Sequence, residues 1–217
     1  LYVQLMDGFG QMTETRSASI TINPPRKAVV SIGWAYDDVA PGCVFDSGLG
    51  INRMNYSATA RTFVWDSGED AGTVVKGDSV NFNEDIRVGG ATTGDDSGMY
   101  PDSVLEKYVR YNGFPQNTYG HRTASIHLSP GTYRLRLFCS LNSTYKNSTE
   151  FMKVQTVVDG VANVFELPDG YDVIGNLTRW LEQEITVPES GMFELQWGME
   201  NATKGWMEVP LNIIEIE

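Results

Sequence analysis

The 217-residue sequence is short of cysteine, histidine and cations, and each shortage closes off a class of chemistry. Its two cysteines, Cys43 and Cys139, form no CxxC pair, so a zinc ribbon or a thioredoxin-type redox site is excluded. A disulfide between them needs Cα atoms within about 7 Å, which a sequence does not report, and two free thiols are the plainer expectation. The histidines are only His121 and His127, and no HExxH, P-loop or GxGxxG occurs. Lys and Arg number 16 against 28 Asp and Glu, for a formal net charge of −12. Such a surface repels phosphate backbones, which argues against nucleic acid and favours neutral partners. No apolar run approaches the ~20 residues of a spanning helix, so no membrane insertion is expected.

What is present is β pattern. In residues 129–140, SPGTYRLRLFCS, Pro130-Gly131 supplies a turn and alternation follows. Tyr133, Leu135, Leu137 and Cys139 share one face, and Arg134, Arg136 and Phe138 share the other. A one-residue slip would put arginines in the core, so the register is well specified. In so acidic a chain Arg134 and Arg136 are expected to pair with carboxylates from a covering loop, the alternative being an anionic sugar. Further strands are predicted at 28–34, 73–76, 79–82, 124–128, 151–158, 163–167, 181–187, 193–198 and 211–217, with a weaker one within 56–65. Residues 37–50 are turn-rich, and further turn signals fall at Asp159-Gly160, Asp169-Gly170 and Ser190-Gly191. The one candidate helix is 101–113, where Ser103 and Glu106 have capping-box spacing; a strand pair is the competing reading. Many short strands with little helix indicate an all-β sandwich or barrel.

Residues 1–27 are set apart by Pro24-Pro25, a stiff connector. They read as an N-terminal hairpin, similar to the end of an immunoglobulin-like or fibronectin type III-like module, or as a hairpin docked on the main domain. The main domain is expected over 28–217. The chain opens at Leu1 in a strand pattern, and one piece of a longer polypeptide is expected.

Catalytic chemistry is hard to assemble. Gly77-Asp78-Ser79-Val80 matches the nucleophile block of GDSL-type esterases, but neither histidine has Asp three residues before it. The acidic pairs Asp37/Asp38, Glu69/Asp70, Glu84/Asp85 and Asp95/Asp96 are adjacent in sequence, which does not give the defined separation a glycosidase needs. Solvated loop charge is the plain reading; structural calcium held by loop carboxylates is the other.

The order of elements resembles the malectin-like, galactose-binding-like jelly rolls of carbohydrate-active and surface proteins. Pro41-Gly42-Cys43-Val44-Phe45-Asp46-Ser47-Gly48 is similar to that family's early pG-x-x-x-D-x-G segment, and Phe63-Val64-Trp65 to its Tyr-Gly-Trp tripeptide. Residues 100–105, with Asp102, fall where the family has an Asp-containing segment. Residues 128–137 resemble its vPnGtY-x-V-x-L strand, 152–160 its f-x-v-x-veG strand and 211–216 its closing LN-x-IEI strand. Two departures stand out: Cys139-Ser140 in place of a common Gly-Asp, and the long insertion 66–98, both where such domains carry ligand loops. The resemblance implies an antiparallel β-sandwich of jelly-roll, galactose-binding-like type, often with a structural calcium ion. It implies a non-catalytic carbohydrate-binding module of a secreted or cell-surface protein of bacterial type.

Sugar binding needs an aromatic face for the C–H side of the ring and polar groups for its hydroxyls. Trp34 and Tyr36, Trp65 and Asp66, Tyr119 and His121, and Trp206 offer that mixture in loops or at strand ends, and each aromatic has a packing reading as well. Trp180 and Trp197 lie inside strand patterns and read as core. The expected partners are a glycan or polysaccharide and the other domains of the parent polypeptide. The rival reading is an adhesin-like or spacer module that binds protein and no sugar.

Overall fold

Period-two alternation of apolar side chains accounts for nearly all of the secondary structure. The fold is a computed structural model that describes residues 2–3, 16–17, 26–40, 42–77, 86–113, 119–142, 149–201 and 207–217. Its strands are β1 (Tyr2–Val3), β2 (Arg16–Ser17), β3 (Ala28–Ser31), β4 (Cys43–Asp46), β5 (Ile51–Met54), β6 (Arg61–Val64), β7 (Asp70–Lys76), β8 (Ile86–Val88), β9 (Lys107–Gly113), β10 (Tyr119–Leu128), β11 (Gly131–Phe138), β12 (Met152–Val158), β13 (Val161–Val164), β14 (Leu181–Val187), β15 (Met192–Glu200), β16 (Met207–Leu211) and β17 (Ile213–Ile216). The α-helix among the described residues, α1, is the single turn Asp102–Leu105.

Two six-stranded sheets make a β-sandwich, one ordered β13-β12-β15-β10-β7-β6 and the other β14-β11-β17-β3-β5-β4. Neighbouring strands run antiparallel except β3 and β5, which are parallel. Leu135, Leu137 and Cys139 point inward beside Ile214 and Ile216, and share one core with Ala124, Ile126, Leu195 and Trp197 of the opposite sheet. Each such leucine stabilises the fold by about 1.5–3 kcal/mol, which holds the register. A third sheet, β16-β9-β8, adds Tyr108, Val109, Val209 and Leu211 to the same core.

Three sequence expectations change. The helix predicted over 101–113 is only α1; β9 takes the remainder, paired with β8 and β16. Ser103 and Glu106 form no capping box, since Pro101 is the N-cap and no side chain caps the turn. Tyr108 and Val109, adjacent and so on opposite faces of β9, are both buried, and a helix of barely two and a half turns is marginal by itself. Residues 37–50, read as turns, contain β4, which pairs with β5. Strand β10 begins at Tyr119, five residues before the apolar pattern starts.

In the N-terminal segment Tyr2 pairs with Ser17 and Val3 with Arg16. The strand expected at 79–82, most of the GDSV block and Trp206 lie outside the described residues. Both cysteines are free; burial pushes the Cys43 thiol up to about 11 and the Cys139 thiol up to about 12.

Candidate functional site

The outward faces of the two sheets differ. On the β11 sheet, Phe138, Ile213, Val29 and Ile51 point away from the main core into a second apolar cluster with Trp34, Trp180 and the α1 residues Val104 and Leu105. Trp180 packs at 5.5 Å from Phe138 and 6.3 Å from Tyr100, and its indole N–H donates to Met99 Sδ at 2.9 Å. Beside it the arginines of β11 are paired. Arg134 reaches Glu182 at 2.6 Å, and Arg136 reaches Glu182 at 2.9 Å and Glu215 at 2.5 Å. Glu215 also binds Lys27 at 2.6 Å and accepts from the Tyr100 hydroxyl at 3.1 Å. These carboxylates stand on the neighbouring strands β14 and β17 rather than on a covering loop. Burial would push the Glu215 carboxyl up, but hydrogen bonds from Lys27 and Arg136 outweigh it and hold it below its ordinary value.

On the β10 sheet, from His121 to Ser125, the outward positions of β10, β15 and β12 are polar apart from Gly198 and Val157. The ladder sets His121 and Lys153 on either side of Gly198, Thr123 and Gln155 beside Gln196, and Ser125 and Val157 beside Glu194. From His121 to Ser125 these rows run about 14 Å along the strands and about 10 Å across three of them. At the end of the rows the Tyr119 and His121 rings stack, 4.5 Å apart and inclined by 16°. Lys153 Nζ lies 4.9 Å from the Tyr119 ring centroid and 2.8 Å from Glu200 Oε1. The Tyr119 hydroxyl donates to the Lys153 carbonyl at 3.2 Å. Burial, with Glu200 adding to it, pushes the Tyr119 phenol well up, so it stays a neutral donor. Gly198 keeps the floor flat: a Cβ there would come within 1.9 Å of the Gly120 carbonyl oxygen. The next row is an amide pair, with Gln155 Nε2 donating to Gln196 Oε1 at 2.7 Å and Gln196 Nε2 to Glu194 at 3.0 Å. At the far end of β10, His127 borders a shallow depression of about 360 Å³ with Thr62, Asp70, Thr73 and Ser129.

The sequence candidates fall into separate places. Tyr119 and His121 come together on the polar face. Trp34 is 7% exposed, donates to Ser31 Oγ at 2.9 Å, and has the Arg53 and Lys107 cations 5.2 Å and 5.5 Å from its ring. Trp65, also 7% exposed, stacks on Tyr133 at 6.4 Å. Exposed Asp66 follows it, its amide donating to the Lys27 carbonyl. Tyr133 opens β11 just after the Leu128 end of β10, so Trp65 and Tyr119 are at opposite ends of a ten-residue strand, about 30 Å long. Tyr36 lies in the 3-10 turn Tyr36–Asp38. Ser140, at the family departure after β11, is tied down: its hydroxyl donates to the Asn176 carbonyl at 2.6 Å and accepts from Ala91 N–H at 3.1 Å.

Gln155, Gln196, Lys153 and Glu200 escaped the sequence reading. Their signal is a polar residue at every second position of β12 and β15, but their assembly depends on β15 lying between β10 and β12, which no local pattern encodes. Among the described residues, no group of three or more His, Cys, Asp or Glu is placed to hold a metal ion, and no helix is long and apolar enough to cross a membrane. The Asp102 carboxylate instead accepts the Thr93 and Gly94 amides at 2.8 Å and 2.7 Å.

No protein-family model and no curated protein matches the chain. Several solved structures resemble it at low identity. A chain in the crystal structure of the plant peptide RALF23 in complex with FER and LLG2 is 14% identical, with a TM-score of 0.46, covering 91% of this chain and 51% of that one. The ANX1 ectodomain from Arabidopsis thaliana is 14% identical, with a TM-score of 0.43, covering 100% of this chain and 54% of its own. The K1 cleaved adhesin domain of Lys-gingipain from Porphyromonas gingivalis W83 is 11% identical, with a TM-score of 0.32, covering 67% of this chain and 89% of that one. The chain spans about half the length of the two plant chains. The sandwich assignment rests on the sheets described above.

Proposed function

We propose that this domain is a non-catalytic carbohydrate-binding module of a secreted or cell-surface protein, and that the polar face of β10, β15 and β12 is its glycan site. The observation that carries the reading is the polar surface, ending in the Tyr119–His121 ring pair, on a sheet whose counterpart is covered. A pyranose ring lays its C–H face on the ring pair, while the partly exposed Gln196 and Ser125 meet its hydroxyls. The size of the face suits a short neutral oligosaccharide, and the acidic surface disfavours a polyanionic one.

A broad glycan array, probed with and without chelator, tests this reading and the calcium expectation together. Binding of a neutral glycan that is weakened by His121→Ala and Gln196→Ala is expected. Silence across plant, host and microbial glycans, or binding indifferent to both substitutions, overturns the site. A protein-interaction module is the second reading, and the outer edge of β13, with which no described strand pairs, is the observation that favours it.

A further inference from the structure

The β13 edge adjoins the proposed glycan face, with Val164 opposite Gln155 in the ladder, and its open backbone carries an inference of its own. Strands β12 and β13 form a hairpin through Asp159 and Gly160, whose φ angles of 48° and 79° fit a tight turn that matches strand twist. Val158 pairs with Val161 across it, and Phe165 N–H donates to the Val154 carbonyl at 2.9 Å. Residues 161, 163 and 165 therefore bond toward β12, and the N–H and C=O groups of Ala162 and Val164 point away from the sheet. No described strand pairs with that side of β13. All four of its residues are exposed, with Val161 at 62% and Val164 at 50%, and Leu167 just beyond at 38%. Sheet edges are commonly protected by lysines, proline or a bulge, and β13 has none of these.

Directly after this edge lies a cleft of about 580 Å³ lined by Glu166, Leu167, Pro168, Asp169, Trp180 and Glu182. Glu182 is neutralised by Arg134 and Arg136. Among the described residues neither the Glu166 nor the Asp169 carboxylate forms an ion pair, though the Arg179 guanidinium donates to the Asp169 main-chain carbonyl at 2.6 Å. An apolar, hydrogen-bonding edge thus runs into a cleft with two carboxylates outside any ion pair, of which Glu166 lies nearer the edge in sequence.

We infer that the β13 edge and the adjoining Glu166/Asp169 cleft dock an extended basic peptide segment of a partner protein, which adds as a strand beside β13 and places a Lys or Arg in the cleft. The open N–H and C=O groups of Ala162 and Val164 supply the main-chain bonds. Val161, Val164 and Leu167 cover the apolar side chains of the added strand, and the carboxylates select its cation. A second copy of this chain is a poor occupant, because it would bring its own Asp159, Glu166 and Asp169 to an acidic edge in a protein of net charge −12.

The test uses synthetic hexapeptides of alternating Val and Lys, with a Val/Glu peptide as control, read by amide NMR shifts and fluorescence polarisation on the full chain. The Val/Lys peptide is expected to bind, to shift the Ala162 and Val164 amides, and to weaken as salt rises. Val164→Pro removes an N–H that points away from β12, so the hairpin ladder is kept while binding falls by about tenfold or more. Val164→Ile retains both the N–H and the apolar side chain and is expected to bind within about twofold of the parent, which separates a lost edge bond from a damaged hairpin. The double variant Glu166→Gln/Asp169→Asn is expected to lose most of the salt dependence. Equal binding of the Val/Glu peptide, unchanged binding in Val164→Pro, shifts confined to His121 and Gln196, or dimerisation through β13 would each overturn the inference.

Discussion

On the outward side of the β11 sheet, Phe138, Ile213, Val29 and Ile51 are buried beneath α1 and its flanking residues; on the outward side of the β10 sheet the central positions are His121, Thr123, Gln196 and Gln155. Both sheets present alternating strands with one face in the common core, so the inner pattern does not separate them. The outer pattern does. An apolar residue at the outward position of each central strand creates a surface that must be covered, and the 89–106 region supplies the cover. The Asn212 side-chain amide donates to the Leu105 carbonyl at 2.9 Å and fastens that cover to β17. Of the polar groups at the same positions, His121 and Gln196 are partly exposed and can remain hydrated, whereas Thr123 and Gln155 are 7% exposed.

The comparison breaks first at the covered face. Phe138→Ala removes a fully buried ring between the β11 sheet and its cover, and is expected to cost about 3–5 kcal/mol in urea denaturation. A loss under about 1 kcal/mol would mean that the second cluster does not hold the cover down. Glu215→Gln comes next, at about 3 kcal/mol, because it leaves Arg136 and Lys27 without their shared, 1%-exposed carboxylate. Arg134→Ala should matter far less, since its pair with Glu182 is exposed and screened by water.

Acid should act on the same face. Glu182 is held below its ordinary value by hydrogen bonds from Arg134 and Arg136, and Glu215 by its pairing with Lys27 and Arg136 despite burial. A carboxyl lowered in the folded state contributes stability that is present above the ordinary value of 4.5 and is lost as pH falls through the lower folded value. The denaturation midpoint is therefore expected to hold near neutrality and to drop below about pH 4.5, with a shallower drop in Glu215→Gln. Equal acid sensitivity in the variant and the parent would assign the loss to other carboxylates.

Much of this was legible in the sequence, because strand faces follow period two. The split of Leu135, Leu137 and Cys139 from Arg134, Arg136 and Phe138 holds residue by residue. Strand order is not local, so the juxtaposition of Gln155, Gln196 and His121 across β12, β15 and β10 was out of reach. For the same reason the carboxylates that meet the two arginines were expected on a loop. Tryptophans mislead in a related way: Trp34 and Trp65 end strands beside polar residues, as a sugar platform would, yet their indoles are enclosed by Lys107, Arg53 and Tyr133. Aromatic chemistry at a strand end does not reveal whether another element lies over the ring.

The smallest expected change in stability belongs to the polar face. His121→Ala and Gln196→Ala should each shift unfolding by no more than about 0.5–1 kcal/mol, since both side chains are partly hydrated and neither fills the core. Their effect on glycan affinity is expected to be larger, about tenfold for either loss, because His121→Ala removes a stacking face and Gln196→Ala leaves a buried sugar hydroxyl without its amide partner. Measuring both quantities on the same two variants distinguishes the faces more sharply than either alone. A covered face loses stability when truncated, whereas a binding face loses affinity and keeps its stability. If His121→Ala instead destabilised the domain as strongly as Phe138→Ala, the β10 face would have to be covered in solution, and the glycan site would lie elsewhere.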